Sequence, residues 1–449
     1  MPWGGWLLFW GVFLGVWAGF EAGLPTWSWN PRPPDNVATL VPKPVRPIAL
    51  PPTNPLPSSL PRVNRTAFLE SRPTYDTLTA FPSAWMLHGP TATWFAMDRL
   101  AQRLNRANTT KLDVFHWGDS QIEGDRITGT VRASWQRTWG GRGPGWILPL
   151  SPSNSFALKA KRQGSIVRKL GYGNQRNTSH RFLPFLGFNE FGADATWKAR
   201  GNPIGHQTNH GWTQTRLWCA GAGTWLGNTD SVTWVGRAER KDTMLRWQHP
   251  PLLDSDLVIQ TRGGVIAGVE LTTPEGVFLH NLPMRGGSGT LFDDIPDARW
   301  KRFLSQSNPG LIILQFGGNA LATMTQTSQV KRYASAIGQN LDHLKALMPD
   351  VPVVFVGPSD MGLDPGEFPM LAATIEALKQ ATFAHGAMYW DLQAVMGGPG
   401  SMAQWVDQGL AARDGIHFSP KGATLIGQRL DMALRQAMRV SQPTEPFAP

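Results

Sequence analysis

Two apolar runs in this chain end in the same abrupt way. Asp113-Val114-Phe115-His116-Trp117 runs into Gly118-Asp119-Ser120, and Leu311-Ile312-Ile313-Leu314-Gln315-Phe316 runs into Gly317-Gly318-Asn319. Apolar stretches of this length read as strands covered on both faces, the mark of a parallel sheet. Open α/β sheets gather their chemistry at the carboxyl ends of the strands, which is where Ser120 and Asn319 stand. Near the other end of the chain comes Asp414-Gly415-Ile416-His417. A serine hydroxyl needs a base to take its proton, and an imidazole needs a partner to hold its tautomer. Ser120, Asp414 and His417 are therefore the candidate triad, and the Asn319 amide is a candidate donor to an oxyanion.

The rest of the chain sorts by texture. Ile122 to Trp139 reads as the first crossover helix. From about Leu150 to Leu282 helical periodicity disappears. Short alternating runs such as Ser231-Val232-Thr233-Trp234-Val235 and Asp256-Leu257-Val258-Ile259-Gln260 take over, punctuated by Gly and Asn. This predicts an inserted β-sandwich. It contains Trp197, Trp212, Trp218, Trp225, Trp234 and Trp247, either as core or as platforms for sugar rings. After Leu311 the alternation of strand and helix returns: helices over Ser328–Leu347, Phe368–His385 and Ser419–Met438, and strands over Val351–Gly357 and Met388–Leu392. The pattern gives a sheet with helices on both faces.

These blocks resemble those of the SGNH (GDSL-type) hydrolase superfamily. Gly118-Asp119-Ser120 matches block I, Gly317-Gly318-Asn319 block III and Asp414-Gly415-Ile416-His417 block V. Arg285-Gly286-Gly287, about one crossover upstream of block III, supplies the candidate block II glycine. The resemblance implies Ser120 as nucleophile, His417 as base and Asp414 as its orienting acid. It implies an oxyanion hole made by the Ser120 and Gly286 backbone amides and the Asn319 side chain. One position departs from the pattern: Ala320 stands where the family usually has Asp after the block III Asn. The insertion between blocks I and II resembles the layout of peptidoglycan O-acetylesterases that carry a carbohydrate-binding-like β module there.

The expected fold is thus α/β: a doubly wound parallel sheet (an α/β/α sandwich) built from residues 85–149 and 283–440, with a β-sandwich over 150–282. Residues 1–23 lack charge up to Phe20 and are rich in Trp, Leu, Phe and Val, and about 20 apolar residues suffice to span a bilayer. A cleaved signal peptide would show a basic start and small residues before the cut; neither stands out, so an uncleaved membrane anchor is the favoured reading. Residues 24–84 form a linker, and twelve of the chain's 37 prolines fall between Leu24 and Arg62. At ~3.1 Å per residue an extended segment of that length reaches on the order of 100 Å. Residues 441–449 read as a frayed tail.

A net charge of +10 and a pI near 10 imply attraction to polyanions. No nucleic-acid fold signature is present, and the basic residues look scattered in sequence. The single cysteine, Cys219, rules out an intrachain disulfide. No histidine group has metal-ligand spacing and no phosphate-cradling loop is present, so no cofactor is expected. Asp360, at another strand end, is a candidate for shaping the pocket. The expectation is an anchored serine esterase facing the periplasm or cell exterior, removing O-acyl groups from an envelope or exported polysaccharide. The same residues suit an O-acetyltransferase served by a membrane acyltransferase. A glycan-binding scaffold with a decayed site is the non-enzymatic alternative.

Overall fold

The computed structural model describes residues 82–440, apart from 174–176 and 365. The expected membrane segment (1–23), nearly all of the proline-rich linker and the tail lie outside the described residues. Among the described residues no helix is long and apolar enough to cross a membrane.

Five parallel strands form the central sheet: β1 (Lys111–Gly118), β2 (Gly276–Pro283), β3 (Pro309–Gln315), β4 (Val353–Val356) and β5 (Met388–Trp390). Their spatial order is β2-β1-β3-β4-β5. The chain therefore leaves β1 toward one side of the sheet and later returns to its other side. That reversal opens a crevice at the carboxyl ends of β1 and β3, the place where doubly wound sheets bind ligands. Gly118, the last residue of β1, lies between Pro283 of β2 and Gln315 of β3.

Helices cover both faces. One face carries α1 (Thr91–Leu104), α2 (Arg126–Trp139) and α6 (Pro420–Ala437), whose apolar stripes bury Leu100, Val131, Ile426 and Leu430 against Val114, Leu279 and Ile313. The other carries α3 (Asp297–Leu304), α4 (Thr327–Leu347) and α5 (Leu371–Ala384), with Trp300, Ile337 and Leu378 packed on Phe115, Ile312 and Phe355. Ser419 starts α6 by accepting a hydrogen bond from the Gly422 amide, with Pro420 in the first turn where its missing N–H costs nothing.

Three sequence expectations shift. The first crossover helix begins at Arg126 rather than Ile122, because Glu123 is extended and Gly124 and Asp125 take positive φ (71° and 67°). The stretch Gly276–Leu282, assigned in sequence to the insertion, belongs to strand β2 of the central sheet. Its apolar run is broken by His280 and Asn281, which hid it; both are buried and bonded, His280 to Asp113 and Asn281 to Thr128. The inserted module instead spans Gly145–Thr272 and begins five residues before Leu150, because the short strand Gly145–Ile147 pairs with Gly264–Thr272.

The module consists of two antiparallel sheets, one of six strands and one of five, closed over a shared core. That core decides the role of most of its tryptophans. Trp197, Trp212, Trp218 and Trp225 are fully buried and Trp247 nearly so. Trp197, Trp212, Trp225 and Trp247 fill the module core, Trp218 packs on Phe303 in the large cluster shared with the central sheet, and none of the five can serve as a sugar platform. Only Trp234 of the six is part-exposed, stacked on Trp247 with ring centroids 4.5 Å apart. Trp225→Ala should lower stability by ~3–5 kcal/mol, measured by denaturant unfolding. A change below about 1 kcal/mol would show that the module core does not depend on this ring.

Candidate active site

The turn after β1 is fixed before any side chain reaches the site. Asp119 extends the sheet by donating its amide to Gln315 O (3.1 Å). Its carboxylate turns back to accept the Gln121 amide at 2.9 Å. Ser120 is thereby presented at the crevice between β1 and β3. Burial pushes the Asp119 carboxyl up to about 6, against the lowering effect of the Gln121 amide.

Ser120 Oγ lies 2.8 Å from His417 Nε2, and His417 Nδ1 lies 2.7 Å from Asp414 Oδ2. A carboxylate can only accept, so the Nδ1–H donates to Asp414 and leaves the Nε2 lone pair facing the serine hydroxyl. Asp414 also builds the loop it sits on: Oδ1 accepts from the Ile416 and His417 amides at 2.9 and 3.0 Å. Partial burial pushes its carboxyl up, but the hydrogen bonds from the His417 ring and these amides outweigh it and hold the group at about 2. Gly415 takes φ 66° between them, a conformation glycine adopts without strain.

The remaining expected residues occupy neighbouring loops. Gly286 is the third residue of a turn closed by Gly287 N donating to Met284 O (2.7 Å), and its φ of 74° explains the glycine. Asn319 is the second residue of the helical turn after β3, and its Nδ2 donates to Gly287 O at 3.0 Å. That bond joins the loops after β2 and β3. Among the described residues the Ser120 and Gly286 amides and the second N–H of Asn319 meet no acceptor. Three free donors thus stand on the three loops flanking Ser120. Ala320 packs against the large core cluster. Asp360 is buried and accepts from Gln393 Nε2 and the Met402 amide at 2.8 and 2.9 Å, so it braces the scaffold rather than shaping the pocket.

Sequence reasoning missed the residues that hold the two halves together. Gln121 Nε2 donates to Ile416 O at 2.6 Å, and its Oε1 accepts from the Phe418 amide at 3.4 Å. One side chain thus grips the backbone on both sides of His417. Glu123 receives Arg285 in a two-bond fork, at 2.7 and 2.8 Å, tying the turn that carries Gly286 to the segment after Ser120. No spacing rule points to either, because both contacts are long-range.

The one group of metal-binding residue types among the described residues, Asp113, Glu270 and His280, is already neutralised. Lys111 Nζ sits 2.9 Å from Asp113 and 2.6 Å from Glu270, and Arg216 also pairs with Glu270. Burial raises the Asp113 carboxyl, but Lys111, His280 and Arg216 together hold it well below the ordinary range. The cluster ties the start of β1 to the module.

Comparison with known proteins bears on the family and the fold. Residues 277–425 match the GDSL-like lipase/acylhydrolase family, a span that includes Asn319, Asp414 and His417. The chain carries a GDSL-type (SGNH) hydrolase domain. The match begins inside β2, so Ser120 lies before it, set apart by the inserted module. Among solved structures, a peptidoglycan O-acetylesterase superposes with a TM-score of 0.61 at 19% identity, covering 78% of this chain and 98% of its own. A family two carbohydrate esterase from Clostridium thermocellum in complex with cellohexaose gives 0.26 at 11% identity, covering 55% and 94%. A catalytic mutant of an acetylxylan esterase from Geobacillus stearothermophilus gives 0.26 at 17% identity, covering 38% and 76%. No curated protein sequence matches the chain.

Two outcomes test how this SGNH hydrolase domain holds its site. Gln121→Ala should cut kcat by ~10–100-fold with KM little changed, since a shift of about 1 Å at a base can cost 10²-fold; an unchanged kcat would show that the His417 loop holds itself. Asp119 has a folded pKa raised above its unfolded value of 3.8, so its contribution is full below about pH 4 and is lost as pH rises through about 6. Asp119→Asn keeps the acceptor for the Gln121 amide but carries no charge. Its Tm relative to wild type should therefore rise by a few degrees between pH 4 and pH 8. A flat difference would place the carboxyl's titration elsewhere.

Proposed function

We propose that this chain is a serine esterase that removes O-acyl groups, acetyl above all, from a polysaccharide. The observation that carries the reading is the continuous relay from Ser120 Oγ through the His417 ring to Asp414, at 2.8 and 2.7 Å. In this mechanism His417 Nε2 takes the hydroxyl proton as Ser120 Oγ bonds to the ester carbonyl carbon. The imidazolium that forms is stabilised by Asp414, which stays ionised throughout. The tetrahedral oxyanion is held by the Ser120 and Gly286 amides and the Asn319 amide. Collapse breaks the bond to the sugar oxygen, which receives the proton from His417. Water, deprotonated by the same ring, then releases the acyl group and frees Ser120.

Binding donors fixed in advance stabilise charge that appears only in the transition state, so they act on kcat rather than on substrate affinity. The fold shared with a peptidoglycan O-acetylesterase supports an O-acylated glycan as substrate. An anchor at residues 1–23 and the proline-rich spacer would hold the domain at the periplasmic or outer face of a membrane, within reach of such a polymer.

The test is direct. Purified protein should release p-nitrophenol from p-nitrophenyl acetate, and free acetate from an O-acetylated glycan with no added acceptor. Ser120→Ala should lower the rate by about 10⁴-fold or more. Asp414→Asn should cost a comparable factor, about 10⁴, because its amide would donate to Nδ1 and move the imidazole proton to Nε2. Asn319→Ala should cost ~10²–10³. Full activity in Ser120→Ala would overturn the assignment. Acetate release that appears only with a glycan acceptor would favour acyl transfer over hydrolysis.

A further inference from the structure

One stretch of the sequence carries cations and no acids. Between Asp125 and Glu190 there is no Asp or Glu, while eleven Lys and Arg fall there, against a whole-chain net charge of +10. The register of the module turns part of that run into a surface. The edge strand Leu158–Gln163 pairs antiparallel with Thr196–Gly201, placing Lys159 opposite Arg200 and Lys161 opposite Lys198. All four are exposed. Directly opposed residues project from the same face ~5 Å apart, and like charges in that relation are destabilising. Lys198 has Asp256 at 2.7 Å, whereas Lys159, Lys161 and Arg200 have no acidic partner among the described residues. Three unpaired cations side by side, at the edge of a sheet, are a repulsion that Asp256 offsets only at Lys198 and that an anion would relieve.

The chain just before this stripe is tied by one hydrogen bond to the segment that follows Ser120. Phe156, three residues before Lys159, donates its amide to Gly124 O at 2.9 Å, and Gly124 follows Ser120 by four residues. Its ring is largely exposed. Between this segment and the module lies a cavity of about 370 Å³, lined by Gly124, Asn281, Lys159, Lys161, Trp146 and Trp197. Unpaired cations beside such a cavity call for oxygen acceptors carrying negative charge.

We propose that the glycan taken by this site is acidic: a polysaccharide bearing carboxylates, laid along Lys159, Lys161 and Arg200 while an acyl group reaches Ser120. The inference deepens the esterase reading and rests on it for the ester, but the polymer binding is independent of turnover. A nucleic acid or a lipid surface would also meet cations, yet the strand that carries them is tied through Phe156 to Gly124, in the segment that follows Ser120, which favours the polymer whose ester that serine takes.

The experiment uses the full chain carrying Ser120→Ala, with polygalacturonate and its carboxyl-reduced, neutral counterpart as probes in affinity electrophoresis. Polygalacturonate should retard the protein, the neutral polymer should not, and added salt should abolish the effect. Adding Lys159→Gln and Lys161→Gln should weaken binding by about tenfold or more, while Tm stays level or rises as the repulsion is removed. Equal binding of both polymers, unchanged affinity in the lysine variant, or a fall in its Tm would overturn the proposal. So would tighter binding to a DNA duplex or to vesicles of anionic phospholipid than to polygalacturonate. Failure of the wild type to hydrolyse p-nitrophenyl acetate would instead sink the esterase reading while polygalacturonate binding persisted.

Discussion

The site depends on holding a loop against the end of a strand 297 residues earlier in the chain. His417 can take a proton from Ser120 only if its ring stands at the right distance with the right tautomer. The distance is set by Gln121, which grips the backbone on both sides of His417. The tautomer is set by Asp414, whose second oxygen is fully occupied with two backbone amides of the same loop. Each carboxylate oxygen therefore has one task, and the loop that carries the base is also shaped by the base's own partner. Most of the remaining architecture serves to keep that arrangement rigid.

The sheet order explains why such a meeting is possible. With β1 flanked by β2 and β3, the loops after all three strands open on one crevice. Ser120, Gly286 and Asn319 arrive on those loops with amide donors left free. The Asn319–Gly287 bond and the Arg285–Glu123 fork then lock the loops to one another. The insertion adds a second layer. It enters after α2, closes on its own core, and returns as β2, so the catalytic sheet is completed only when the module is in place.

Much of this was legible in the sequence, and for a physical reason. Buried parallel strands need nearly continuous apolar residues, so β1 and β3 announce themselves, and their abrupt ends mark Ser120 and Asn319. Asp414 and His417 are close in sequence because the carboxylate must reach both the ring and the intervening amides. Strand β2 was hidden because His280 and Asn281 interrupt its apolar run, their polarity satisfied by Asp113 on the neighbouring strand β1 and Thr128 on α2, both far away in sequence. The module's tryptophans were legible as a group but not in role, since core and platform use the same residue and differ only in burial. Cations that look scattered along the whole chain include one acid-free run, and strand register, absent from any linear pattern, turns part of it into a stripe by setting Lys159 beside Arg200 and Lys161 beside Lys198.

The central claim is that Ser120 is a nucleophile activated by His417. Covalent labelling with a fluorophosphonate, followed by mass spectrometry of the proteolytic peptides, reads this most directly. The adduct should appear on Ser120 alone, at a rate that falls sharply in His417→Ala. Modification of another serine, or equal labelling without the His417 imidazole, would contradict it.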